Sequence, residues 1–189
     1  RWHPQKCSVM FMRAQHEPGI EAQATMKNAP GDAELARMAG ELADTLKASG
    51  LKLATAESCT GGWIAKVCTD PAGSSAWFER GFVTYSDRAK ADLLGVEPQV
   101  LEFAGAVSEA VAMQMASGAV KNSAADVALA VTGIAGPDGG SEEKPVGTVW
   151  FGWSTGGHAA TERQVFSGDR EAVRRQTVAH ALRGLIERL

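Results

Sequence analysis

The chain has 189 residues, 44% hydrophobic and 22% charged, enough for one substantial core that needs neither metal nor disulfide. Its net charge of −3 gives no basic face for nucleic acid or an anionic membrane, and no apolar run approaches a membrane span. Cys7, Cys59 and Cys68, odd in number and without a CxxC pair, argue against a secreted disulfide scaffold and for the cytoplasm.

Residues 1–30 mix Trp, His, Pro, Gln and Met without a period, so an N-terminal extension, mostly disordered, is expected there, with one domain over 31–189. Leu35, Met38, Ala39, Leu42 and Leu46 recur at helical spacing, with Asp32 as N-cap and Gly50 as stop. Leu51–Ala56 reads as a short buried strand, followed by the turn Glu57-Ser58-Cys59-Thr60-Gly61-Gly62 and a helix over Trp63–Thr69. Phe82–Tyr85 predicts a second strand and Asp87–Leu94 a helix that Gly95 ends. Ser108 is an N-cap with Glu109 in the first turn, and Val111, Met115 and Ala119 face inward from the helix it opens. Asp126–Thr132 is nearly all apolar, as in a strand buried on both faces. A glycine-rich loop, Gly133–Gly140, follows it. Thr148–Ser154 and Ala159–Phe166 read as neighbouring strands joined by the turn Thr155–His158, before a last helix over Asp169–Leu189. Strands alternating with helices imply an α/β fold whose sheet is covered on both sides, with antiparallel pairing near the final hairpin.

Chemistry concentrates in three places. Ser58 follows a buried strand and precedes glycines and a helix, which presents it at the carboxyl edge of the sheet, where ligands of α/β folds bind. The amides of Cys59, Thr60, Gly61 and Gly62 would then be free to hold an anion or a developing oxyanion. Ser58 or Thr60 could instead simply cap the helix, and Cys59 competes with Ser58 as nucleophile; spacing leaves both questions open. The second place is Tyr85–Lys90, where Lys90 on the first turns of a helix could take the proton of Ser58 if burial lowered its pKa. His3 and His16 lie in the extension, His158 in a turn and His180 on the last helix, so a serine–histidine triad is hard to assemble. The third is the loop after Thr132, whose glycines permit close backbone approach and whose Thr132 and Ser141 are donors. It fits neither phosphate-binding fingerprint, and no metal site is proposed.

Four segments taken together carry a resemblance: Thr55–Gly62, Gly81–Ser86, Gly105–Glu109 and Thr132–Gly140 resemble the CinA carboxy-terminal domain family, whose stand-alone members are PncC-type nicotinamide mononucleotide deamidases. The resemblance runs from about Asp32 to Leu189 with the motifs in order. It implies a three-layer α/β/α sandwich on a mixed, mostly parallel sheet. It also implies conversion of nicotinamide mononucleotide to nicotinate mononucleotide and ammonia. By motif it assigns Ser58 as nucleophile, Lys90 as base and Tyr85 beside them, a serine–lysine dyad that needs no metal or organic cofactor. The substrate phosphate is expected on the loop that includes Gly133 and Gly136, and on Arg170 or Arg174 near the start of the last helix. A homodimer is expected by analogy, with no nucleic-acid or membrane partner. The alternatives are a non-catalytic pyridine-nucleotide-binding module and an accessory protein of competence or damage response.

Overall fold

A computed structural model describes residues 29–189; the extension expected over 1–30 lies, except for its last two residues, outside them. Five strands form one sheet in the order β2-β1-β3-β4-β5: β1 Leu53–Glu57, β2 Phe78–Val83, β3 Val127–Gly133, β4 Thr148–Thr155 and β5 His158–Val165. β1 pairs in parallel with β2 and β3, while β4 runs antiparallel to β3 and β5 to β4. The sheet is therefore mixed, with four of the five strands pointing one way.

Among the described residues six α-helices cover it: α1 Asp32–Ser49, α2 Trp63–Thr69, α3 Asp87–Leu94, α4 Pro98–Ala104, α5 Glu109–Lys121 and α6 Arg170–Ile186. Strand alternation sorts them into two layers. Leu53, Val127, Leu129, Val131, Phe151 and Trp153 pack with α1, α2 and α6. Ala54, Ala56, Ala128 and Ala130 face the other way, toward α3, α4 and α5. Alanines on that face let α5 come close. At Gly152 the approach is so tight that a Cβ would stand 2.4 Å from the Ala112 carbonyl oxygen. Among the described residues no helix is long and apolar enough to cross a membrane.

Several boundaries differ from the sequence reading. Gly31, not Asp32, is the N-cap of α1, and it makes no side-chain capping bond. β2 starts at Phe78 and ends at Val83, so Thr84 and Tyr85 lie beyond it. An edge strand with Glu79 and Arg80 in its middle lacks the apolar signal of a buried one. The short helix α4, opened by Pro98 at its first turn, was not expected at all. Because β1, β2 and β3 run parallel, they deliver Ser58, Tyr85 and Thr132 to one edge of the sheet. That edge is where the cleft forms.

Candidate active site

The Ser58 turn is held from several directions. The Ser58 N–H donates to Val131 O at 3.1 Å, extending the β1–β3 ladder by one residue. Gly61 and Gly62 then take φ of 63° and 94°, a left-handed backbone that only glycine adopts without strain. Glu57, fully buried at the end of β1, reaches forward under the turn. Its carboxylate accepts from the Thr60 hydroxyl at 2.6 Å, from the Gly62 and Ile64 N–H groups at 3.0 Å and from the Ala65 N–H at 2.8 Å. A carboxylate at a helix N-terminus satisfies its orphan amides and complements its dipole.

This corrects the expectation that all four amides of the turn are free. The Gly62 N–H belongs to Glu57, and the Gly61 N–H donates to Ser58 O at 3.1 Å. Only the Cys59 and Thr60 amides lack a partner residue among the described residues. Glu57 was missed in the sequence, although a carboxylate closing the otherwise uncharged strand Leu-Ala-Thr-Ala-Glu was a visible signal.

Lys90 comes to Ser58 from the opposite helical layer. Ser86 caps α3 by accepting from the Ala89 N–H, which fixes the first turn and aims Lys90 at the sheet edge. Its ammonium group stands 3.3 Å from Ser58 Oγ and 3.3 Å from the Tyr85 carbonyl oxygen. Asp87 Oδ1 is farther, at 3.8 Å. Lys90 is 1% exposed and Ser58 8%. Burial pushes the lysine below its ordinary range, with Asp87 and Cys59 pulling the other way.

Cys59 sits beside Ser58 in sequence and also borders the cleft, but it is buried with the core against α1, α2 and α6. Burial pushes its thiol up to about 12, so it carries almost no thiolate at neutral pH. Lys90 touches the serine.

Around the pair is a cleft of about 210 Å³ whose wall includes Ser58, Tyr85, Asp87, Lys90, Thr132, Gly133 and Arg170. Tyr85 is 65% exposed there, and its hydroxyl accepts from Arg170 at 3.4 Å. Arg170 is braced by a second bond, 2.6 Å to the Gly136 carbonyl oxygen. Gly136 thus serves through its carbonyl and is not part of the cleft wall. The Thr132 hydroxyl already donates to Ala106 O at 2.7 Å. Gly133 is fixed by packing, since a Cβ would come within 2.7 Å of Val149. Arg174 is one helical turn past Arg170 yet turns onto the Ser58 loop. It donates to Cys59 O at 3.1 Å and Thr60 O at 2.7 Å, and it is absent from the cleft wall. Asp87, Ala106 and Val107 also line the cleft; none was named as a site residue, although all three lie inside the segments Tyr85–Lys90 and Gly105–Glu109 that the sequence singled out.

The CinA C-terminal domain pattern matches residues 35–189. A nicotinamide-nucleotide amidohydrolase PncC of Escherichia coli is 60% identical over 155 residues, which cover 82% of this chain and 94% of that protein. Its counterpart of the same name in Pseudomonas putida is 52% identical over 150 residues, covering 79% and 94%. Among solved structures, a CinA superfamily protein from Escherichia coli superposes with a TM-score of 0.81 at 39% identity, over 92% of this chain and all of that one.

Proposed function

The chain belongs to the CinA C-terminal domain family, and we propose that it is a nicotinamide-nucleotide amidohydrolase in which Ser58 attacks the carboxamide and Lys90 moves the proton. The observation that carries this reading is the buried Lys90 amine 3.3 Å from Ser58 Oγ. That is within reach of a proton transfer that tightens when substrate binds. Support for the substrate comes from the relatives, two of which are named as nicotinamide-nucleotide amidohydrolases.

In the neutral form, Lys90 takes the Ser58 proton as Oγ bonds to the carboxamide carbon. The oxyanion that forms is met by the amides of Cys59 and Thr60; losing one such donor typically costs ~3–4 kcal/mol of transition-state stabilisation. Lys90 returns the proton to the nitrogen, the C–N bond breaks and ammonia leaves. Water, deprotonated by Lys90, then attacks the ester; the C–Oγ bond breaks to release the carboxylic acid, which ionises, and Lys90 returns the proton to Ser58 Oγ. Tyr85 holds Lys90 through its backbone carbonyl, and its exposed ring lies along the bound substrate. The cleft of about 210 Å³ suits the nicotinamide ring, with the phosphate outside near Arg170 and the loop from Gly133. A cytoplasmic setting fits the buried free thiols Cys59 and Cys68. Assembly as a homodimer is part of this reading.

The test is incubation of the purified chain with nicotinamide mononucleotide. Equal amounts of ammonia and nicotinate mononucleotide are expected. Tight binding without turnover at any pH would favour the non-catalytic module instead.

A further inference from the structure

Arg174 is a cation that the mechanism above does not use, although two of its nitrogens rest on the nucleophile turn. The guanidinium donates to Cys59 O at 3.1 Å and to Thr60 O at 2.7 Å, and lies over the Trp63 ring, 5.0 Å from its centroid. In a trans peptide the C=O and N–H point in opposite directions. The Cys59 carbonyl and the Thr60 N–H belong to one peptide, so drawing that carbonyl toward Arg174 turns the N–H away from it. Arg174 stands on α6, in one helical layer, and Lys90 reaches Ser58 from α3, in the other. The Thr60 N–H therefore points away from Arg174. It has no partner among the described residues. The next peptide is treated alike: its carbonyl is on Arg174, and its N–H, on Gly61, is anchored to Ser58 O.

We propose that Arg174 is a positioning residue for the oxyanion, setting and polarising the Thr60 amide through the far end of its own peptide. A charge-assisted bond at the carbonyl draws electron density out of the peptide and makes the opposite N–H a better donor. The planar fork of arginine spans both carbonyls; a lysine reaches one. The proposal rests on the amidohydrolase reading and replaces the expectation that Arg174 holds the substrate phosphate. The two roles differ in kinetics, because an interaction made only in the transition state lowers kcat, whereas uniform substrate binding moves KM.

The experiment compares ammonia release from nicotinamide mononucleotide by wild type, Arg174→Ala, Arg174→Lys and Arg175→Ala. Arg175 is the matched control. It too lies 5.0 Å from the Trp63 centroid, but it bonds to Asp32 and Glu171 and not to the Ser58 turn. Arg174→Ala is expected to lose roughly 10²-fold in kcat with KM nearly unchanged. Arg174→Lys is expected to lose roughly tenfold, which keeps the test decisive if the alanine variant does not fold. Arg175→Ala should keep the wild-type kcat while lowering the thermal midpoint. Unchanged kcat in both Arg174 variants, a rise confined to KM, or an equal kcat loss in Arg175→Ala would each overturn the proposal. A wild-type chain that releases no ammonia overturns the amidohydrolase reading itself, a different result from an active wild type with indifferent Arg174 variants.

Discussion

A lysine amine removed from water holds its proton less tightly, and Lys90 is 1% exposed. Burial lowers its pKa more than Asp87 and Cys59 raise it, with opposite consequences for fold and catalysis. In the proposed mechanism the neutral amine is the base, so kcat/KM should rise with pH through the folded-state pKa of Lys90. Lys90→Ala should lose roughly 10²–10⁴-fold in kcat and that pH limb with it, as read from an ammonia-release profile. For stability, a folded pKa below the unfolded one means that the unfolded chain binds more protons between the two values, so stability rises with pH there. The destabilisation is fully present below the folded pKa and fades as pH climbs to the ordinary lysine range. Lys90→Met should therefore raise the thermal midpoint at neutral pH, and the gain should shrink in alkaline buffer. That Lys90 could approach Ser58 was expected from its place near the same sheet edge, and the two groups stand 3.3 Å apart; their catalytic roles came from the family resemblance. The split between Arg170 and Arg174 was not legible in the sequence. Both lie near the start of the last helix, one turn apart, and only the way α6 crosses the sheet edge sends one to the cleft and the other to the Ser58 turn.

At the scale of elements, the pair depends on how closely α3 sits against α5. A Cβ on Gly118 of α5 would stand 1.9 Å from the Leu94 carbonyl oxygen at the end of α3. Gly118→Ala must push the two helices apart, and overpacking of this kind typically costs ~1–3 kcal/mol. Because α3 carries Lys90, the same substitution should also weaken the Ser58–Lys90 contact. Denaturation midpoint and kcat are expected to fall together. A variant of normal stability and activity would show that α3 shifts freely. The helices over Trp63–Thr69 and Asp87–Leu94 lie where the sequence put them, because their start and stop signals are local: Gly62 and Ser86 before them, Gly95 after α3. β2 and α4 were misread for a tertiary reason. An edge strand and a helix of seven residues bury too little to impose a clear apolar period on their sequences.

For the molecule as a whole, the three parallel strands bring the cleft together, and its wall runs from Ser58 to Arg170. A chain beginning at Ala29 should therefore keep the kcat of the full one, and a large loss on that truncation would mean that the first 28 residues contribute to the site. The two-layer covering could be inferred from strands alternating with helices, and the final hairpin from the turn Thr155–His158 between two strand-like segments. The grip of Arg174 on the Ser58 turn could not, since it joins residues far apart in sequence. The proposed mechanism turns on which atom attacks. Ser58→Ala and Cys59→Ala, assayed side by side for ammonia release from nicotinamide mononucleotide, decide it most directly. Activity should vanish in Ser58→Ala and persist in Cys59→Ala; the reverse pattern would contradict a serine nucleophile.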